Sequence, residues 1–277
     1  MKISAIITCF NLGKELHEAV NSVLEQSLPV DEIIIVDDHS TNQHTLELLD
    51  SFTDPRVQVL KKATNEHVSA ARNTGISRAK NEWILILDGD DYISKDFVKK
   101  CSDHALEHDA KIITTHVQEF GKSDLLWKPI GGSVENFLAQ NNSCGCGLIH
   151  REVWEKTGGY DENMKYGWED WEFWINATAR GFNVSIVEEP LYYYRKEGPS
   201  NQSQSYEKAG MIKDYIVRKH KNVYTQYLPE TIVTLDNRIL ELEGELRRSR
   251  SKLSAIQKSR LFGSTNGLLK LFGRNYF

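Results

Sequence analysis

Cysteine is scarce. There are four in 277 residues: Cys9, Cys101, Cys144 and Cys146. That is too few for a disulfide scaffold at this length, and Cys144-Gly145-Cys146 lacks zinc-ligand spacing or a His/Cys partner pair. These thiols are expected as small buried or turn residues of a cytosolic chain. No apolar run approaches the ~18 residues needed to cross a bilayer. The opening, Met1-Lys2-Ile3-Ser4-Ala5-Ile6-Ile7-Thr8-Cys9, is too short in apolar core for a secretion signal and reads as a first strand. An excess of positive charge is also missing. The balance of 34 Lys+Arg against 39 Asp+Glu is −5, which argues against nucleic acid as a partner. His39, His67, His116 and His150 show no metal-ligand spacing. Hydrophobic (40%) and charged (26%) fractions are ordinary, so the chain is not broadly disordered and has ample length for a core.

What charge there is lies unevenly. Eight basic residues (Arg247, Arg248, Arg250, Lys252, Lys258, Arg260, Lys270 and Arg274) and no acidic one follow Glu245. An acidic body with a basic tail implies separate parts: a domain over 1–222, a helix over 230–258 and a basic amphipathic tail over 259–277.

Strand-like and helix-like segments alternate through the first half. Strands are expected at 3–9, 32–36, 57–60, 83–87 and 111–116. Helices are expected at 14–26, 45–52, 68–80 and 95–108. This alternation predicts an α/β fold with a mostly parallel sheet, whose ligands sit beyond the carboxyl ends of the strands. The second half is less regular. A loop-rich stretch from Gly131 precedes helices at 150–157 and 168–180, then strand candidates at 184–187 and 191–194 on either side of Pro190. From Ile232 a heptad repeat appears. One seam position is filled by Ile232, Ile239, Leu246 and Leu253, and the other by Leu235, Leu242, Ser249 and Ile256. This predicts a two- or three-stranded coiled coil or a helix packed on the body, and hence a homo-oligomer through 232–256. Beyond it, Leu261-Phe262, Leu268-Leu269 and Leu271-Phe272 among Lys and Arg suit an anionic membrane surface.

Three acidic clusters carry the candidate chemistry. Asp88-Gly89-Asp90-Asp91 ends an apolar strand, and two carboxylates one residue apart in a turn can both approach a hard cation shared with phosphates. Taken alone, the same residues also read as a polar turn capping the next helix. Asp37-Asp38 ends another strand, where an acid can accept from a base imide or a ribose hydroxyl; the bland reading is a turn and N-cap. Trp168-Glu169-Asp170-Trp171 opens a helix. First-turn acids favour the helix dipole, but flanking tryptophans exclude water, suit sugar faces and raise a carboxylate pKa toward the working range of a general base. Arg72-Asn73, in a small-residue helix, is placed to reach a nucleotide or to form a surface ion pair. Tyr192-Tyr193-Tyr194-Arg195 reads as core and rim aromatics.

Together these motifs resemble the family 2 glycosyltransferases of the GT-A fold. The matching pieces are Ile6-Ile7-Thr8-Cys9-Phe10-Asn11, Ile35-Val36-Asp37-Asp38-His39-Ser40-Thr41, Ala71-Arg72-Asn73-Thr74-Gly75-Ile76, Trp83 through Asp91, Gly158-Gly159-Tyr160-Asp161-Glu162, and Glu169-Asp170. They cover roughly the first 200 residues in order and do not extend to the tail. The resemblance implies inverting transfer of a sugar from a nucleotide-sugar, a UDP-sugar by analogy, to a hydroxyl of a saccharide or lipid-linked glycan in cell-surface polysaccharide assembly. It implies that Asp38 contacts the base, with Thr8 and Phe10 lining that pocket. Arg72 would help hold the nucleotide, Asp88 would touch ribose or metal, and Asp90 would ligate Mn²⁺ or Mg²⁺. Asp170 would be the general base with Glu169 beside it, and Trp168 and Trp171 would flank the acceptor. Many relatives carry a histidine two residues after the arginine of a Tyr-Arg pair. Here Tyr194-Arg195-Lys196 is followed by Glu197, so Arg195 and Glu197 are candidate contacts of that corner. The implied location is cytoplasmic, with the tail peripheral on the membrane's cytoplasmic face. A nucleotidyltransferase would need a glycine-rich, basic loop after the first strand, and Asn11-Leu12-Gly13-Lys14 is too sparse. A non-catalytic assembly protein would not need acids at every expected place.

Overall fold

The structure, a computed structural model, describes residues 1–197, Ser205 and residues 207–258. Residues 259–277, which carry the membrane-surface expectation, lie outside the described residues. The chain divides into two compact units, Met1–Gln226 and Tyr227–Phe277, a few residues beyond the boundary expected at 222.

The first unit is built on one nine-stranded sheet in the order β3-β2-β1-β4-β8-β6-β9-β5, with β7 paired on β6. Its leading half is β1 (Ile3–Cys9), β2 (Glu32–Asp37), β3 (Val57–Lys61) and β4 (Trp83–Asp88), all mutually parallel. Every residue of β1 and of β2 is buried, as expected for strands covered on both faces. The intervening helices are α1 (Lys14–Leu24), α2 (Gln43–Ser51) and α3 (His67–Arg78). Helix α1 buries Leu16, Ala19, Val20 and Val23, each spaced to face the sheet. Burial of Leu16, Val20 and Val23 stabilises the fold by roughly 1.5–3 kcal/mol each.

The trailing half is mixed. The two-residue strand β5 (Tyr92–Ile93), antiparallel to the last strand of the sheet, leads into α4 (Phe97–His108) and the long β6 (Ile112–Gly121). Strand β7 (Leu126–Trp127) follows, and the stretch expected to be loop from Gly131 holds the one-turn α5 (Glu135–Leu138) and β8 (Gly147–His150). Strand β8 runs antiparallel between β4 and β6. At four residues it is too short to show a period in sequence. After α6 (Arg151–Thr157) and α7 (Glu169–Thr178), the two strand candidates around Pro190 are one strand, β9 (Val184–Lys196), parallel to β6. Its register with β6 shifts around His116, which pairs with Pro190. The bulge is where a residue lacking an N–H is tolerated in a paired strand. Helices α8 (Ala209–Lys219) and α9 (Lys221–Gln226) complete the unit.

The second unit contains α10 (Leu228–Lys258), with Pro229 in its first turn, where the missing N–H has no helical partner to lose. Among the described residues, no helix is long and apolar enough to cross a membrane. All four cysteines are free and buried.

Candidate active site

The carboxyl ends of β1, β2 and β4 bring Thr8, Asp38 and Asp88 to one edge of the sheet. Asp88 sits opposite Thr8 in the strand register, and Thr8 Oγ1 donates to Asp88 Oδ1 at 3.1 Å. The turn that follows needs its glycine: a Cβ at Gly89 would lie 2.4 Å from the carbonyl oxygen of Thr8. Asp38 is buried. Its carboxylate accepts from the backbone N–H groups of Glu66 (3.0 Å) and His67 (2.7 Å), and Lys62 Nζ stands 3.2 Å away. Asp38 thereby ties the end of β2 to the start of α3. Asn11, with positive φ, links the two strand-end loops: its N–H donates to Ser40 Oγ, and its Oδ1 accepts from Thr41 and Asn42. Phe10 projects beside them, 48% exposed.

Arg72 connects this edge to the second acidic cluster. It rises from α3 into the interior and is 1% exposed. Its Nη2 donates to both oxygens of Asp88, at 2.8 and 3.0 Å, and its Nη1 donates to Glu169 Oε1 at 2.7 Å. One guanidinium therefore joins a carboxylate at the end of β4 to a carboxylate 81 positions later, in the first turn of α7. Its planar fork suits this double attachment better than an ammonium would. The Tyr160 ring lies below it, 5.2 Å from the guanidinium carbon, and stacks on Phe173.

Asp170 stands next to Glu169. Its Oδ1 accepts from the Trp171 N–H at 2.7 Å and its Oδ2 from Asn141 Nδ2 at 2.9 Å. Burial, then the Glu169 charge, push its pKa up to about 7, against the opposing pull of Arg72. Gly145 closes the gap between the clusters: a Cβ there would lie 3.4 Å from Arg72 Nη2 and 3.6 Å from Asp170 Cβ. The Asp88 and Asp170 clusters thus share one neighbourhood. Trp168 takes a left-handed backbone conformation (φ 61°) at the start of α7, its ring edge-on to that of Trp171 at 5.7 Å. Trp171 is buried, and its Nε1 donates to the Phe137 carbonyl at 2.6 Å.

Beyond Gly89, Asp90 is open to solvent yet crowded by protein. Desolvation and then the Asp88 charge push its pKa up to about 6. Asp91 turns inward, accepting from the Tyr192 hydroxyl and from the Arg195 N–H at 2.7 Å. Arg195 Nε donates to the Asp90 carbonyl at 2.7 Å, and the guanidinium pairs with Glu18 and, at 3.4 Å, with Glu197. Arg195 and Glu197 are therefore held at the Asp90 turn. For a divalent cation, Asp88 and Asp90 offer hard oxygen donors, and Asp90 is the freer of the two because Arg72 and Thr8 already engage Asp88. Among the described residues no group of three His, Cys, Asp or Glu is placed to hold an ion alone. The pair fits an ion completed by substrate oxygens.

Some contributing residues carried no readable signal. Asn141 belongs to no motif, and only the folded loop brings it to Asp170. Tyr160 lies inside the Gly158-Gly159 motif, but its role under Arg72 depends on packing. A separate hollow of about 460 Å³, lined by Asn73, Gly159, Asp161, Arg180, Lys219 and His220 among others, includes none of Asp88, Asp90, Glu169 and Asp170. Beside it Lys219 pairs with Glu172 (2.8 Å) and Asp161 (2.6 Å), fastening α8 to α7.

Residues 4–162 match the model of glycosyl transferase family 2. The glycosyltransferase GlyG of Streptococcus pneumoniae is 30% identical over 179 residues, covering 64% of this chain and 53% of GlyG. The poly(ribitol-phosphate) beta-N-acetylglucosaminyltransferase TarP of Staphylococcus aureus is 29% identical, covering 69% of this chain and 62% of TarP. The chain thus spans less than two thirds of either relative. Residues 1–349 of S. aureus TarS, crystallised with UDP-GlcNAc, superpose with a TM-score of 0.64 at 22% identity, covering 73% of this chain and 61% of that one. With more than half its length matched and its sheet shared with that structure, the chain belongs to glycosyl transferase family 2 and has the GT-A fold.

Proposed function

We propose that the chain transfers a sugar, with inversion, from a UDP-sugar to a hydroxyl of a saccharide or lipid-linked glycan in cell-surface polysaccharide assembly. The observation that carries this reading is the Arg72 bridge between Asp88 and Glu169, with Asp170 beside it at a pKa near 7. One cluster suits a diphosphate and the other suits an alcohol that must lose a proton. The names of the relatives, a poly(ribitol-phosphate) beta-N-acetylglucosaminyltransferase among them, support the substrate class.

In this mechanism Thr8, Phe10 and Asp38 hold the nucleoside end of the donor. Asp88 and Asp90 would hold Mn²⁺ or Mg²⁺ on the diphosphate, and such an ion supplies Lewis-acid neutralisation of the leaving group. Arg72 keeps Asp88 and Glu169 at fixed separation. The Trp168 and Trp171 rings wall off water on the acceptor side. Asp170 takes the proton of the attacking hydroxyl as it bonds to the anomeric carbon, and attack opposite the diphosphate inverts that centre. A base in this role contributes typically ~10²–10⁴-fold. Glu169, bound to Arg72, orients the acceptor beside it.

The test is a screen of nucleotide-sugars with the parent and Asp170→Asn chains. Expected are metal-dependent donor binding in both, transfer by the parent alone and an inverted product. Transfer by Asp170→Asn at the parent rate would remove Asp170 as base, and retention of configuration would overturn the displacement. The basic residues beyond Lys258 are proposed to dock on anionic membrane, which predicts salt-sensitive binding to anionic liposomes.

A further inference from the structure

Helix α10 is amphipathic without burying its apolar stripe. The seven apolar seam residues between Ile232 and Ile256 are each 44–56% exposed. At about 1.5 Å per residue the helix is roughly 46 Å long. A helix of that length gains little from propensity alone and takes most of its stability from packing. Gly244, near its middle, weakens it further.

We propose that α10 pairs with α10 of a second copy of this chain as a parallel, in-register, two-stranded coiled coil. The first half of the seam argues for two strands, whereas Leu253 at a and Ile256 at d in the last heptad do not. In its first two heptads the a positions are Ile232 and Ile239 and the d positions are Leu235 and Leu242, the β-branched-a, leucine-d combination that favours dimers. The flanking charges argue for orientation. In a parallel pair, each g residue faces the e residue of the following heptad across the seam. Arg238 then meets the partner's Glu243, and Glu245 meets the partner's Arg250. Both contacts are attractive, and symmetry makes each occur twice. Reversing one helix while keeping the same seam residues in contact sets Arg238 against the partner's Lys252. It also sets Glu243 against the partner's Glu243 and Glu245 against the partner's Glu245. Only Asp236 with the partner's Arg250 would then be favourable. In the single chain Arg238 bonds Glu241 at 2.9 Å, an exposed pair that contributes little and exchanges readily for the partner contact. The proposal is independent of the reaction proposed above.

The full chain should sediment at twice its 31.8 kDa mass. Ile239→Asp with Leu242→Asp should sediment as a monomer that still melts cooperatively, which separates lost pairing from lost folding. Because the native thiols are buried, Leu235→Cys reports orientation. A parallel pair places the two introduced thiols together, so mild oxidation should give a covalent dimer. A reversed pair would instead cross-link Leu235→Cys only with Leu253→Cys. Glu245→Arg should raise the dimer Kd about tenfold, and adding Arg250→Glu should restore it. A monomeric parent, a three-chain mass, or cross-linking confined to the mixed pair would overturn the proposal.

Discussion

The proposed donor side and the proposed acceptor side of the site are built differently. The donor side, β1 to β4, comes from consecutive βα units in the first 91 residues, and its acids sit at strand ends one turn from an apolar run. The acceptor side is gathered from the Asn141–Gly145 loop, the Gly158–Tyr160 turn and the start of α7, none adjacent in sequence. Local construction gives a rigid platform, while the long-range assembly leaves the acceptor side to a few individual contacts. Substitutions on the donor side should therefore show mainly in donor affinity and stability, and those on the acceptor side in turnover.

The largest expected effect is that of Asp170→Asn, a loss of ~10²–10⁴-fold in kcat with UDP-sugar binding retained, read by calorimetry beside initial rates. Arg72→Ala breaks both sides at once. Leaving Asp88 and Glu169 without their counter-charge should cost about 3–5 kcal/mol of stability in denaturant titration, and Arg72→Lys should recover only part. Asn141→Ala sharpens the contrast, because its hydrogen bond favours the ionised Asp170. Parent kcat should rise with pH through about 7 as Asp170 ionises, and the variant's midpoint should move higher while donor Kd stays fixed. Phe10→Ala, on the exposed rim of the donor side, should raise donor KM several-fold and leave kcat nearly unchanged. The smallest effect concerns Asp161. Burial pushes its pKa up, but hydrogen bonds from Lys219 and Tyr215 prevail and lower it to about 2. A lowered folded-state pKa stabilises above the ordinary value and is lost as pH falls toward the folded one. Thermal melts should lose this contribution between about pH 4 and pH 2, and Asp161→Asn should flatten that part of the curve.

The same contrast governs what could be read before folding. Residues 3–9 and 83–87 announce themselves because a buried parallel strand is a mostly apolar run, interrupted in the first only by Ser4 and Thr8, and Asp88-Gly89-Asp90 announces itself because it ends one. Strand β8 was hidden by its four residues. Pro190 split β9 on paper because a proline normally ends a strand, and only pairing with β6 reveals the bulge that admits it. Glu169 and Asp170 were legible as an acidic pair between tryptophans, but not that one faces Arg72 and the other Asn141. Arg72 was visible as a basic residue in a helix of small side chains. Its burial could not be seen, because the two carboxylates that make it tolerable lie 16 and 97 residues away.

The shared guanidinium has a consequence for how such a chain diversifies. Residues fastened to one common group do not contribute independently, so the effects of changes at Asp88 and at Glu169 should not add, and a double-mutant cycle between them should show a sizeable interaction energy. A change at Asp88 would reach Glu169 through the same guanidinium, so on the proposed reading an altered donor contact would disturb the acceptor side in the same step.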